Sequence, residues 1–218
     1  MLGHALTVTL LAAASQAAAA AVPVGDVTPV TELPSAHAYR SGVVVGFSYG
    51  GGLGGASGYP NNAQDIGNQA DYSASGVMGG TYGSLFVMGA FSDYVSFGFW
   101  FGHSSFQNAD FRSSGDGGGL RVEAFPLVGL VPPLHGLGVL GVFGVGSGHL
   151  DPKPAGLPGS SGTQSFVGAG PFYEWSFAHV LGGHLGAGPS LEYDAIFSRP
   201  FESHGLVASL RLVFYGGP

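Results

Sequence analysis

Residues 95 to 105 alternate with a period of two. Val95, Phe97, Phe99 and Phe101 fall on one face, and Ser96, Gly98, Trp100, Gly102 and Ser104 on the other. Successive side chains of a β-strand point to opposite faces, so this is a strand signature; no segment carries a convincing helical period. The pattern recurs near residue 42, where Val43, Val45, Phe47 and Tyr49 oppose Val44, Gly46, Ser48 and Gly50. It recurs again at the C-terminal end, where Leu206, Ala208, Leu210, Leu212 and Phe214 oppose Ser209 and Arg211. Eight strands are expected, over 42–54, 77–90, 94–104, 119–128, 136–147, 166–178, 184–196 and 205–215. Each is about the length that crosses a bilayer when tilted. The connections at 91–93, 129–135 and 179–183 read as short turns. Those at 55–76, 104–118, 148–165 and 197–204 read as loops, mostly long and rich in Gly, Ser, Asn, Asp and Pro. Short turns at one end and long loops at the other are the habit of a membrane barrel.

Composition narrows the alternatives. The 218 residues are 45% hydrophobic and 12% aromatic but only 9% charged, with 41 Gly, 14 Pro and no Cys. A chain this apolar does not stay solvated as a disordered segment, and one this rich in glycine does not build a helical core. A net charge of −7 with six basic residues speaks against a nucleic-acid partner. The lack of Cys removes disulfide scaffolds, Cys-ligated zinc and thiol catalysis.

The few charges decide which face points outward. Arg121, Glu123, Glu174, Glu192, Asp194 and Arg211 sit mid-strand in phase with Gly and Ser, opposite the Val, Leu and Phe face. Turned inward they form a lumen ion-pair network, and the apolar face meets lipid. A soluble lipocalin-like carrier of a small hydrophobic ligand would have the two faces reversed. A hairpin centred on 197–204 would set Glu192 opposite Arg211 to within one residue. Trp100 and Phe172 are candidates to plug the lumen. Aromatic girdles are expected from Phe91, Tyr94, Trp175, Phe177, Phe214 and Tyr215 at the turn side, and from Tyr49, Tyr82, Phe101, Tyr193 and Phe197 at the loop side.

Ahead of the strands, residues 6–21 read LTVTLLAAASQAAAAA, an apolar run closing on small residues suited to signal-peptide cleavage. The alternative is a single membrane anchor, for which the run barely reaches the needed length. Residues 1–21 are thus expected as a helical signal peptide, 22–40 as an extended linker with Pro23, Pro29 and Pro34, and 41–215 as the barrel.

With a leader, eight amphipathic strands, Arg and Glu on the inward face and an aromatic-rich final strand, the chain resembles the small eight-stranded bacterial outer-membrane barrels of the OmpA/OmpX type. The resemblance covers about residues 41 to 215. It implies an all-β, eight-stranded antiparallel up-and-down transmembrane barrel in the outer membrane, with a structural, surface-interaction or narrow-pore role and no catalysis. It also implies no cofactor or metal, a monomer, and outer-membrane lipids and the barrel-assembly machinery as partners. One departure is visible: the family usually ends on an aromatic, whereas Phe214-Tyr215 is followed here by Gly216-Gly217-Pro218.

One constellation carries candidate chemistry. His103 and Ser105 share a face, with Asn108 and Asp110 close behind, and base, hydroxyl and carboxylate are what nucleophilic acyl chemistry needs. The spacing loosely resembles the His-x-Ser motif of PagL-type lipid A deacylases, although Phe106-Gln107 stands where that family continues with Asn-Ala. The plain alternative is a polar strand end running into a loop. His37, His135, His179, His184 and His204 fall at turns or linkers without metal-ligand spacing. The run Gly50 to Gly55 lacks the Lys-Ser/Thr and helix of a phosphate loop; its glycines suit a tightly curved sheet.

Overall fold

A computed structural model describes residues 40–130, 132–154 and 156–217; the expected signal peptide and nearly all of the linker lie outside the described residues. The alternating segments are strands: β1 (Gly42–Gly58), β2 (Met78–Ser92), β3 (Val95–Gln107), β4 (Phe111–Ala124), β5 (Leu137–Pro152), β6 (Ser160–Tyr173), β7 (Gly183–Phe197) and β8 (Phe201–Tyr215). Each pairs antiparallel with its sequence neighbour, and β1 pairs with β8 as well as with β2, so Val44 lies between Met88 and Tyr215. The sheet is therefore closed, and closure removes the free edges on which strands aggregate. Segment Trp175–Val180 prolongs β6 past Glu174 along β7, and Ser73–Ala74 bridges to the end of β1. Helix among the described residues is limited to the 3-10 turns Gln69–Asp71 and Pro132–Leu134. This is the expected all-β, eight-stranded antiparallel barrel.

The strands run further than the alternation suggests. Three of the four expected loops shrink to 108–110, 153–159 and 198–200, and only 59–77 is long. At the opposite end 93–94 and 181–182 are tight turns, but 125–136 is the longer connection, not a short turn. Leu181 and Gly182 both adopt positive φ (54° and 76°), the backbone of a primed hairpin turn whose twist matches the strands it joins. The contrast between short and long ends is thus weaker than expected. The cause is pairing: stretches such as Ser113–Gly119 lack strand propensity, yet their ladders with β3 and β5 hold them in the sheet.

The faces sort as the charges imply. Phe97, Phe99 and Phe101 point outward, 38%, 62% and 64% exposed, while Arg121, Glu123 and Arg211 are at most 1% exposed. On β1 the outward apolar residues run from Val43 to Leu53. Ten residue steps of about 3.3 Å on a strand tilted by roughly 40° rise about 25 Å, the height of a lipid-facing band. Toward the loop end of β2 to β5 the outward positions turn polar, with Thr81, Ser105, Ser114 and His149 in one row of paired residues. Inward glycines are demanded by closeness: a Cβ on Gly119 would run into the Phe143 carbonyl of the facing strand, and one on Gly144 into that of Gly118.

Candidate functional site

Inward-facing positions of β4 and β8 bring Arg121, Glu123 and Arg211 together in the lumen. Arg211 holds Glu123 with both terminal nitrogens, Nη1 to Oε1 at 3.0 Å and Nη2 to Oε2 at 2.9 Å, and its Nη2 also donates to Glu174 Oε2 at 3.2 Å. Arg121 Nε donates to Glu123 Oε1 at 2.8 Å. Glu174, at the break after β6, further accepts from the Tyr215 hydroxyl at 3.1 Å and pairs with Arg40 at 3.7 Å. Each guanidinium also lies over an aromatic ring: Arg40 on Phe125 at 3.5 Å, Arg211 on Phe172 at 3.9 Å and Arg121 on Phe86 at 4.3 Å. Charge-assisted, bidentate hydrogen bonds and cation–π contacts together offset the cost of burying these ions.

A second layer lies nearer the loop end. Trp100 Nε1 donates to the Tyr82 hydroxyl at 3.2 Å, which donates to Glu192 Oε1 at 3.4 Å. The indole packs at a tilt against Phe166 with ring centres 4.6 Å apart and is seated over Gly102, where a Cβ would strike it, and Gly117, where one would crowd it. Beyond it remains a cavity of about 30 Å³ bordered by Asp194, Ser104 and Ser113. That is room for a water or two, since one occupies roughly 10–15 Å³ by this measure. Trp100 and Phe172 are both fully inside the lumen and fill it.

Several placements differ from the sequence reading. Arg211 faces Gly188, and Glu192 faces Val207. The hairpin turns at 198–200 rather than at the centre of 197–204, which slides the register by several residues, so Arg211 finds its carboxylates across the lumen. Among the described residues Glu192 and Asp194 make no ion pair. Tyr82 and Tyr215, expected in the girdles, are inward lumen residues. Arg40, read as the end of the linker, joins the network instead, its backbone N–H bonded to Asp93 at 2.7 Å. His204 lies within β8 and not in a turn, bonded to Tyr193 and Glu202 on the outer wall.

The outer wall carries the other candidate group. His103 does not meet Asp110; its Nδ1 bonds Asp116 Oδ1 on the neighbouring strand at 2.7 Å, both side chains largely exposed. Ser105 lies on the same outward face one row closer to the rim, with no hydrogen bond to His103 among the described residues. Asn108 is structural: its Oδ1 accepts from the Asp110 and Phe111 N–H groups, and its Nδ2 donates to the Ser75 carbonyl.

A closed eight-stranded sheet with an apolar exterior and ion pairs inside is a transmembrane β-barrel. The chain is similar in structure to Ail, the attachment invasion locus protein of Yersinia pestis, with a TM-score of 0.48 and 10% identity over 80% of this chain and 99% of that one. It is also similar to the N-terminal β-barrel domain of Pseudomonas aeruginosa OprF, with a TM-score of 0.38 and 14% identity over 79% and 98%. A third is Neisserial surface protein A, with a TM-score of 0.37 and 14% identity over 79% and 97%. No protein-family model matches the chain, and no curated relative does. The assignment to the class therefore rests on the closed sheet and its inverted faces.

Proposed function

We propose that the chain is an integral protein of the bacterial outer membrane, a monomeric, non-conducting barrel with a structural or surface-interaction role and no catalysis. It arrives there by export, removal of the leader and insertion by the barrel-assembly machinery among outer-membrane lipids. The filled lumen is the observation that carries this reading. Eight strands leave an interior just wide enough for side chains, and here Trp100, Phe166, Phe172 and the arginine pairs occupy it. Purified folded protein added to a planar bilayer is expected to stay electrically silent; reproducible single-channel steps would restore the narrow-pore alternative and overturn this one.

A second reading is favoured by the His103–Asp116 contact. An ionised carboxylate only accepts hydrogen bonds, so Asp116 holds His103 with its proton on Nδ1 and leaves Nε2 as a base. Ser105, next along the same face, would be the nucleophile: its Oγ adds to a lipid ester carbonyl while Nε2 takes the proton and returns it to the departing alcohol. Water then cleaves the acyl-serine by the same relay. Incubating the protein with purified outer-membrane lipids decides this. Fatty acid release that Ser105→Ala abolishes establishes the hydrolase, and products identical for both proteins eliminate it.

A further inference from the structure

The strand register organises the outer wall between β1 and β4 in rows that climb toward the loop end from β1 to β4. One row reads Tyr49, Gly83, His103, Asp116, and the row beneath it Phe47, Leu85, Phe101, Gly118. Gly83 is the bare position in the upper row. With no side chain there, the wall opens into a groove of about 620 Å³, floored by Gly83 and Leu85, flanked by Tyr49 and Phe101 and headed by His103 and Asp116. The groove is shallow and open along its length, so it cradles one side of a chain and does not enclose it. The fold does not require this glycine. Its φ is ordinary, and an added Cβ would meet the Tyr49 ring at 3.4 Å and the Ser48 carbonyl oxygen at 3.9 Å, both in normal contact. The bare position is thus a feature of the surface, unlike the inward glycines whose Cβ would strike the next strand.

We infer that this groove binds one acyl chain of an outer-leaflet lipid whose headgroup offers a hydroxyl to His103. The inference rests on the membrane placement of the barrel and not on catalysis. The groove lies at the upper edge of the apolar band, so the medium that fills it is lipid tail, and the row above it is where headgroups begin. Lipid tails gain nothing by leaving lipid for an equally apolar wall, so selective retention comes from shape and from a polar contact at the headgroup. Gly83 supplies the shape. His103 supplies the contact: with Nδ1 committed to Asp116, Nε2 is left as an acceptor directed at hydroxyl donors. Asp116 disfavours headgroups that offer only negative charge.

The test uses full-length protein in nanodiscs of equal parts dipalmitoyl phosphatidylglycerol, whose headgroup carries hydroxyls, and dipalmitoyl phosphatidylcholine, whose headgroup carries none. Lipid retained on release is read by native mass spectrometry. Wild type is expected to keep one lipid and to prefer phosphatidylglycerol. Gly83→Leu fills the groove and should lower retention of both lipids by about tenfold, whereas loss of the single hydrogen bond in His103→Leu should erase the preference alone. Gly141→Leu fills another position with open space around it, and should change neither. Undiminished retention by Gly83→Leu overturns the inference, as does a dimer that this substitution dissociates, since the occupant would then be a second barrel. Flotation with vesicles separates the two failures: protein that does not float refutes the membrane placement, and protein that floats but ignores Gly83→Leu refutes only the groove.

Discussion

Replacing Glu123 with Leu is expected to destabilise the barrel by about 3–5 kcal/mol, because it strands two buried guanidinium groups at once. Glu123 is the common acceptor of Arg121 and Arg211, and all three side chains are sealed from solvent. The loss reads directly as a fall in the guanidinium midpoint of protein refolded into vesicles, followed by fluorescence of Trp100 and Trp175. Glu192→Gln is the internal comparison. Its Tyr82 partner is neutral and sits at 3.4 Å, and a glutamine amide can still accept from it, so the change should cost only about 1 kcal/mol. Converting the cluster together, with Arg121→Met, Glu123→Leu and Arg211→Met, should recover much of the loss, since the penalty comes from unpaired charge and not from missing attraction. Equal costs for Glu123→Leu and Glu192→Gln would show that the network is not organised around Glu123.

Phe99→Arg tests the orientation of the wall with a comparably large effect. Phe99 points outward near the middle of the apolar band, where an arginine costs about 2–4 kcal/mol against lipid. Thr81→Arg, on the outward face at the upper edge of the band, should cost only about 0–1 kcal/mol, because the guanidinium reaches the interface. A soluble barrel predicts a different pair of numbers: exposed substitutions there stay within about 0.5 kcal/mol wherever they fall. Refolding yield and unfolding free energy in vesicles distinguish the cases, and a tolerated Phe99→Arg would remove the membrane from the description.

The alternation made the barrel legible because one strand parity carries a physical label. In β4 and β8 that label is charge, so the odd positions of Arg121, Glu123 and Arg211 declare the inside. Tyr215 shares the parity of Arg211, and Tyr82 that of Ser84, so both lumen tyrosines were readable; reading them as interfacial aromatics set residue type above phase. Loop lengths were hidden for a different reason. Ser113 to Gly119 carries no apolar face, and only hydrogen bonds to neighbours remote in sequence hold it as strand. The same long-range dependence concealed the Arg211 partners, since contacts across the lumen follow from closure and not from hairpin arithmetic. Asp116 was missed as the partner of His103 because the nearer carboxylate, Asp110, sits in a turn that Asn108 closes.

If the proposed placement in the outer membrane holds with the loop end outward, the shortness of the connections at the rim limits what the cell exterior can do to this protein. A protease needs an extended segment of about the length that only flexible loops provide, and the links at 108–110 and 198–200 leave none. Cleavage of intact cells should therefore fall within 59–77 or 153–159. These two stretches touch, through the Ser73 hydroxyl donating to the Pro158 carbonyl at 2.6 Å. Away from the Ser73–Ala74 bridge they are also where an inserted epitope leaves the barrel ladders intact, so accessibility, antigenicity and tolerance of added sequence converge on one side of the rim.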